Sequence, residues 1–321
     1  MTRLGWIPHA LPSPVPHPVS QNQSLAAEDL VNWSQFAYTQ YVTGPEHLCN
    51  SVMIFESLHR LGSRADRVIL FPHDMSFDEA GAENDNSKLR KKAIEEYNVK
   101  FVPIQVIQGG GDPGWAKGFT KFLVFNQTDY ARVLVLDSDG TVLQSMDELF
   151  VLPAAPVAMP RAYWIDKWMS AQLVLVEPSQ FEWDRVQKGI ENHTVGEDYD
   201  MEILNHLYGD SCLVIPHRKY DMLSGEFRND PDDHWHYLGS KEEKWDSDSV
   251  WNETKYIHFS DWPFPKPWID KGEQARRERR PHCRGKRPQS EEEDCRDRDH
   301  WLWLYKDFSD RRQSVCGRPY D

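Results

Sequence analysis

A chain of 321 residues is long enough for one large domain, or two modest ones, with a sizeable core. Its 51 acidic against 37 basic residues leave a net charge of −14, which argues against a nucleic-acid or anionic-membrane surface, so an anionic ligand needs a local attractor such as a metal or a few placed lysines. No stretch approaches the roughly 18 apolar residues of a membrane span.

Residues 1–33 are rich in Pro and lack the apolar centre of a signal peptide, which predicts an extended leader or stalk. Regular pattern begins at residue 34. SQFAYTQYVT reads as a strand, and in GPEHLCNSVMIFESLHRLG the residues Leu48, Val52, Phe55 and Leu58 recur at helical spacing before a capping Gly62. A buried strand RVILF (67–71), an amphipathic helix over 86–97, a strand VKFVPIQVI, a helix over 115–130 and the strand RVLVL follow. Further strands are expected in PVAMP, AQLVLVEP and CLVIP, with helices from Ser179 to Ile190 and around DYDMEILNHLYG. This alternation predicts an α/β domain over 34–270, a Rossmann-like, mostly parallel sheet with flanking helices, whose ligands bind at the strands' carboxyl ends. Residues 218–256 are polar and Trp-rich and read as loops near a site. Residues 271–321 form a charged C-terminal extension, solvated or disordered at first and ending in a cysteine cluster. Cys283, Cys295 and Cys316 are expected to staple this tail by one disulfide and leave one thiol spare.

Asn22, Asn32, Asn126, Asn192 and Asn252 each begin an N-x-S/T sequon, more than the roughly one or two that chance supplies. The excess points to a secretory-pathway or Golgi lumen, with an N-terminal anchor trimmed or outside this chain; a cytoplasmic location is the alternative. Oligomeric state is left open.

The strand RVLVL stops at Asp137 and Asp139, separated by Ser138. Two carboxylates that converge at a turn repel, and a divalent cation relieves the repulsion. The pair is compatible with a metal-dependent sugar-nucleotide transferase. It is also compatible with a phosphatase of the haloacid-dehalogenase type, since LVLDSDGTV fits that signature with Asp137 as nucleophile and Asp139 as general acid. Against the phosphatase, at least three strands precede the motif, no G-D-x-x-x-D acidic pair follows it, and HFSDWPFPKPW is left without a role.

VLVLDSDGTVLQSMDELF resembles the D-x-D region of glycogenin-like glycosyltransferases (family 8, GT-A fold). GFTKFLVF resembles that family's F-x-K-L helix start, YDMEILN its D-Q-x-x-x-N helix and HFSDWPFPKPW its H-F-x-G-x-x-K-P-W element, in the family's order over about residues 35–268. The wording looks most like the fungal N-acetylglucosaminyltransferase branch. The resemblance implies that Asp137, Asp139 and His258 hold Mn²⁺, with Mg²⁺ as the alternative, and that Lys121 and Lys266 contact the donor. It places Asp200 and Gln172 on the reacting face of the donor sugar, and the uracil and ribose near Thr39, Tyr41, Val42 and Ser138, with Asp137 also available to a ribose hydroxyl. It further implies retention of anomeric configuration, with same-face attack favoured. UDP-GlcNAc is the first choice of donor, with UDP-glucose and UDP-galactose open, and the acceptor is a hydroxyl of a glycan or another molecule. The chain departs from the pattern at Gln172, where the family carries N-S-G, and at Ser260–Asp261, where it tends to carry Gly. A catalytically inactive carbohydrate-binding relative is the third reading.

Elementary chemistry favours the same constellation. Charge grows on the bridging oxygen as a sugar-nucleotide bond breaks, and a divalent ion on the diphosphate absorbs it. Two carboxylates and an imidazole suit such an ion, and Lys266 adds a point charge, its backbone held extended by Pro267.

Overall fold

The computed structural model describes residues 31–321 apart from 76–77, 80–81, 110–116, 166 and 288–289. The expected leader and Asn22 therefore lie outside the described residues, except for positions 31–33. In chain order the main elements are β1 (Phe36–Tyr41), α1 (Pro45–Arg60), β2 (Asp66–Pro72), α2 (Asp85–Tyr97), β3 (Val99–Ile104), β4 (Arg132–Leu136) and β5 (Gly140–Val142). They continue with β6 (Val157–Pro160), β7 (Leu173–Val176), α3 (Gln180–Glu191), α4 (Asp200–Tyr208), β8 (Leu213–Ile215), β9 (Met222–Leu223), β10 (Tyr256–His258) and α5 (Arg296–Cys316).

Seven strands form the main sheet in the order β8-β6-β7-β4-β1-β2-β3. All neighbouring pairs are parallel except those of β7, which runs antiparallel to β4 and β6. The stretch between β6 and β7 contains no helix among its described residues, so it cannot make the crossover that a parallel pair requires. Residues of β4 alternate between faces. Leu134 and Leu136 join the core built with α1, α2 and α5, while Val133 and Val135 join the one built with α3 and α4. Burial on both faces explains the unbroken apolar run.

Local chemistry sets the element ends. Asn84 caps α2, its side chain accepting from Ser87 N at 2.8 Å, and Asn98 ends it at φ 54°; Gly62 follows α1 at φ 72°. Asp147, in the MDELF turn, accepts from Tyr38 Oη at 2.9 Å, Ser63 Oγ at 2.7 Å and Arg64 N at 2.9 Å, tying that turn beneath β1.

Several expectations need correction. The segment expected as a helix over 115–130 is a 3₁₀ helix at Gly118–Asn126. Phe119, Phe122 and Phe125 recur every third residue, the eclipsed face of that tighter winding. Residues 218–256 are not plain loops, since Phe227 and Tyr237 are fully buried and Trp245 stacks on His234. The charged tail supplies α5, whose Trp301, Leu304, Tyr305 and Phe308 enter the same core as β1. Cys283 pairs with Cys295 as a staple within the tail, but Cys316 is not spare: it bonds Cys49 of α1, 267 positions away, and the free thiol is Cys212.

Candidate active site

The site forms where β4 ends. The buried Gln40 donates Nε2–H to Leu136 O at 2.8 Å, and Asp137 N donates to Gln172 O at 2.9 Å, fixing the strand end between β1 and β7. The chain then turns through Ser138 into β5, which pairs antiparallel with β10 so that Gly140 stands opposite His258. Phe259 N donates to Asp139 O at 2.8 Å, and Tyr256 Oη donates to Asp137 O at 2.8 Å. A side chain at Gly140 would start 2.4 Å from Tyr256 Oη, so glycine is what lets the two strands close there. This small sheet, β9-β10-β5, carries His258 to an acid pair more than a hundred residues earlier in the chain.

His258 Nε2 lies 3.0 Å from Asp139 Oδ1, and Lys266 Nζ lies 2.7 Å from Asp139 Oδ2 while donating to Phe259 O at 2.6 Å. Across the pair, Lys121 Nζ lies 2.7 Å from Asp137 Oδ1, forms an ion pair with Asp200 and donates to Ala171 O at 2.9 Å. Asp200 opens α4, where the positive end of the helix dipole favours a carboxylate. Asn205 of the same helix accepts from Met169 N at 2.7 Å and donates to Met169 O at 2.8 Å, clamping the loop that leads to Gln172.

Burial opposes the charge on Asp139, but His258 and Lys266 outweigh it and hold its carboxyl well below the usual range. Burial pushes Asp137 up to about 6 against the pull of Lys121, with Asp139 and Asp200 adding repulsion. Lys121 is buried too, yet Asp137 and Asp200 hold its ammonium firmly charged.

One ligand atom each from Asp137, Asp139 and His258 lie within 4.8 Å of one another. His258 Nδ1 is buried and finds no hydrogen-bond partner among the described residues. Two carboxylate oxygens, an imidazole and a repulsion in need of positive charge fit a divalent cation. A cavity of about 500 Å³ opens over them, lined also by Gln172, Asp200, Lys266 and Trp164.

Six of the residues expected at the site therefore line one cavity: Asp137, Asp139, Gln172, Asp200, His258 and Lys266. Lys121 does not open to it; it is buried between two carboxylates and neutralises them from behind. Thr39 and Val42 are fully buried, and neither they nor Tyr41 and the half-buried Ser138 line the cavity. Tyr41 is half-buried and packs against the core beside the inner ion pairs, where burial raises its hydroxyl pKa against the pull of Lys121 and with Asp137 and Asp200 adding to the rise. Sequence reasoning missed Tyr256, Trp164 and the fully buried Asp221, whose carboxyl burial pushes up to about 7. Tyr256 lies two residues before His258 on a strand, a spacing that puts both side chains on one face.

Two curated relatives match most of this chain. A protein of Gibberella zeae named glucose N-acetyltransferase 1 is 51% identical over 294 residues, covering 89% of this chain and 63% of the relative. One of Aspergillus fumigatus with the same name is 44% identical, covering 97% of this chain and 83% of the relative. The chain belongs to the fungal glucose N-acetyltransferase 1 family. It spans less than two thirds of the Gibberella family member. No protein-family model matches it. Among solved structures, the glycosyltransferase GlyE of Streptococcus pneumoniae TIGR4 superposes with a TM-score of 0.53 at 16% identity, over 88% of this chain and 63% of that one. That likeness supports the GT-A type of α/β fold for this family member.

Proposed function

We propose that the protein is a metal-dependent, retaining glycosyltransferase of the glycogenin-like family 8 kind, moving GlcNAc from UDP-GlcNAc to a hydroxyl of a glycan. The observation that carries this reading is the convergence of Asp137, Asp139 and His258 beneath a cavity that also holds Lys266, Asp200 and Gln172. The relatives' name, glucose N-acetyltransferase 1, contains both glucose and N-acetyl, and GlcNAc is glucose with an N-acetyl amino group in place of its 2-hydroxyl.

Asp137, Asp139 and His258 would hold Mn²⁺ or Mg²⁺, and the ion supplies the positive charge that a departing diphosphate requires. Lys266, steadied by Phe259 O and Asp139, brings a second positive charge to the same oxygens. Lys121 holds the side chains of Asp137 and Asp200 in place through its two ion pairs. In same-face attack the acceptor oxygen bonds to the anomeric carbon as the bond to the diphosphate breaks, and the acceptor proton passes to the leaving phosphate oxygen. Asp200 and Gln172 face that region from the cavity wall.

Against a phosphatase of the haloacid-dehalogenase type, three strands of the main sheet, β1, β2 and β3, precede the strand that ends at Asp137. The lumen of the secretory pathway fits two disulfides and four described sequon asparagines, Asn32, Asn126, Asn192 and Asn252, that are all exposed. No helix among the described residues is long and apolar enough to cross a membrane.

UDP release from UDP-GlcNAc with and without Mn²⁺ tests the reading. Asp139→Ala should lose at least about 100-fold of the metal-dependent rate, since even indirect metal contacts are worth about 10- to 100-fold. Equal rates in the two proteins would overturn it.

A further inference from the structure

Beside the metal cluster lies a second cavity, about 580 Å³, which shares Trp164 and Ser260 with the first. Its lining includes Trp262, 91% exposed, the most open large apolar side chain among the described residues. An isolated exposed indole needs no explanation. This one is different because its support is built. The neighbouring Asp261 is buried, accepts Trp301 Nε1–H at 2.7 Å and Tyr305 Oη–H at 3.2 Å from α5, and is ion-paired with Arg228. Phe264 N donates to Asp261 O at 2.7 Å, and Gly225 N donates to Ser260 O at 3.1 Å. A side chain at Gly225 would start 2.9 Å from that oxygen, so the floor of the cavity also depends on a glycine. The loop is thus pinned from below while its indole faces outward.

A rigid indole suits the C–H face of a sugar ring, and the polar edge of that ring needs hydrogen-bond acceptors. Asp233, exposed in the same lining, supplies one, and the buried Glu226, which His234 Nδ1 and Asn229 Nδ2 each hold at 2.9 Å, fixes the wall behind it. The guanidinium of Arg228 is already committed to Asp261, so the wall favours a neutral polyhydroxyl ligand over a phosphate. We propose that this second cavity binds the acceptor, a neutral oligosaccharide whose terminal sugar lies against Trp164 beside the metal cluster and whose next unit stacks on Trp262. The proposal rests on the glycosyl-transfer reading and adds to it the substrate class.

The test is calorimetric titration of neutral gluco-, galacto- and manno-configured tetrasaccharides into the protein loaded with Mn²⁺ and UDP. Trp262→Ala should weaken the Kd for the bound tetrasaccharide about tenfold, the scale of one aromatic contact, and Trp262→Phe should restore part of it. The Kd for UDP should move less than twofold, a check that the variants are folded. Equal tetrasaccharide affinity in wild type and Trp262→Ala, or no binding of any of the three by wild type, overturns the site. UDP-GlcNAc turnover in the same preparation separates the two ideas: turnover without oligosaccharide binding removes this site alone, and binding without turnover of any UDP-sugar removes the transfer reading instead.

Discussion

The two walls of the cleft hold their charges in opposite ways. The inner wall, Lys121 with Asp137 and Asp200, is packed between the 3₁₀ helix, the end of β4 and the start of α4, and its lysine is almost inaccessible. The outer wall, Lys266 with Asp139 and His258, hangs on the short β5–β10 pairing, and its lysine is about a third exposed. The inner wall sets one lysine between two carboxylates, and the outer wall sets one carboxylate, Asp139, between a lysine and an imidazole. Only the outer ammonium lines the cavity, which sets a lysine buried in the fold of the site against one open to whatever the cavity takes.

Exchange of each lysine for Met separates these roles. Lys121→Met removes a buried cation from between two half-buried carboxylates and leaves them facing each other, which should cost about 3 kcal/mol of stability in urea unfolding. Lys266→Met should change stability by no more than about 1 kcal/mol, because its ion pair is partly solvated, while slowing UDP release. Equal destabilisation by the two would erase the distinction between the walls.

Asp221 sharpens the comparison from below. It is fully buried just before β9, where His258 favours its charge and Asp137 opposes it, and burial pushes its carboxyl up to about 7. Its folded value lies above the unfolded one. Its contribution is therefore complete below about pH 4, the unfolded value, and is lost as pH rises through about 7. Metal-free wild type should lose up to roughly 4 kcal/mol across that window through this group. Asp221→Asn, neutral at every pH, should flatten the slope between pH 4 and 7 in denaturant titrations. An unchanged slope would show that Asp221 does not titrate there.

Much of this was legible in the sequence, and the reasons differ by element. The run RVLVL, the helical spacing of Leu48, Val52, Phe55 and Leu58, and the four ordered motifs gave the sheet, α1 and six cavity residues, because each signal is local. The antiparallel turn of β7 was not legible, since strand direction depends on whether a helix fills the connection. Helix α5 carries a readable stripe at Trp301, Leu304, Tyr305 and Phe308, but the dense charges around it mask the stripe in a composition count. The Cys49–Cys316 bond joins chain ends that no spacing rule connects. Thr39 and Val42 were placed at the nucleotide by resemblance alone; both sit on β1 or just after it, buried on both sides.

A smaller effect than those of Lys121→Met and Asp221 bears on what joins the two walls. Gly140 follows Asp139 as the first residue of β5, paired with His258 of β10, and its missing side chain makes room for the Tyr256 ring. Gly140→Ala places a methyl within 2.4–2.5 Å of three atoms of that ring, so either the ring or the strand must shift. Overpacking of this kind costs about 1–3 kcal/mol. The shift would move Tyr256 off Asp137 O and draw His258 away from Asp139, while the inner ion pairs, made by the side chains of Lys121, Asp137 and Asp200 and by no side chain of β10, stay in place. The variant should therefore unfold at a slightly lower urea concentration and lose Mn²⁺ affinity in calorimetry by a larger factor than its stability loss alone conveys. A variant that binds Mn²⁺ as wild type does while unfolding earlier would mean that the strand pairing supports the fold without positioning His258.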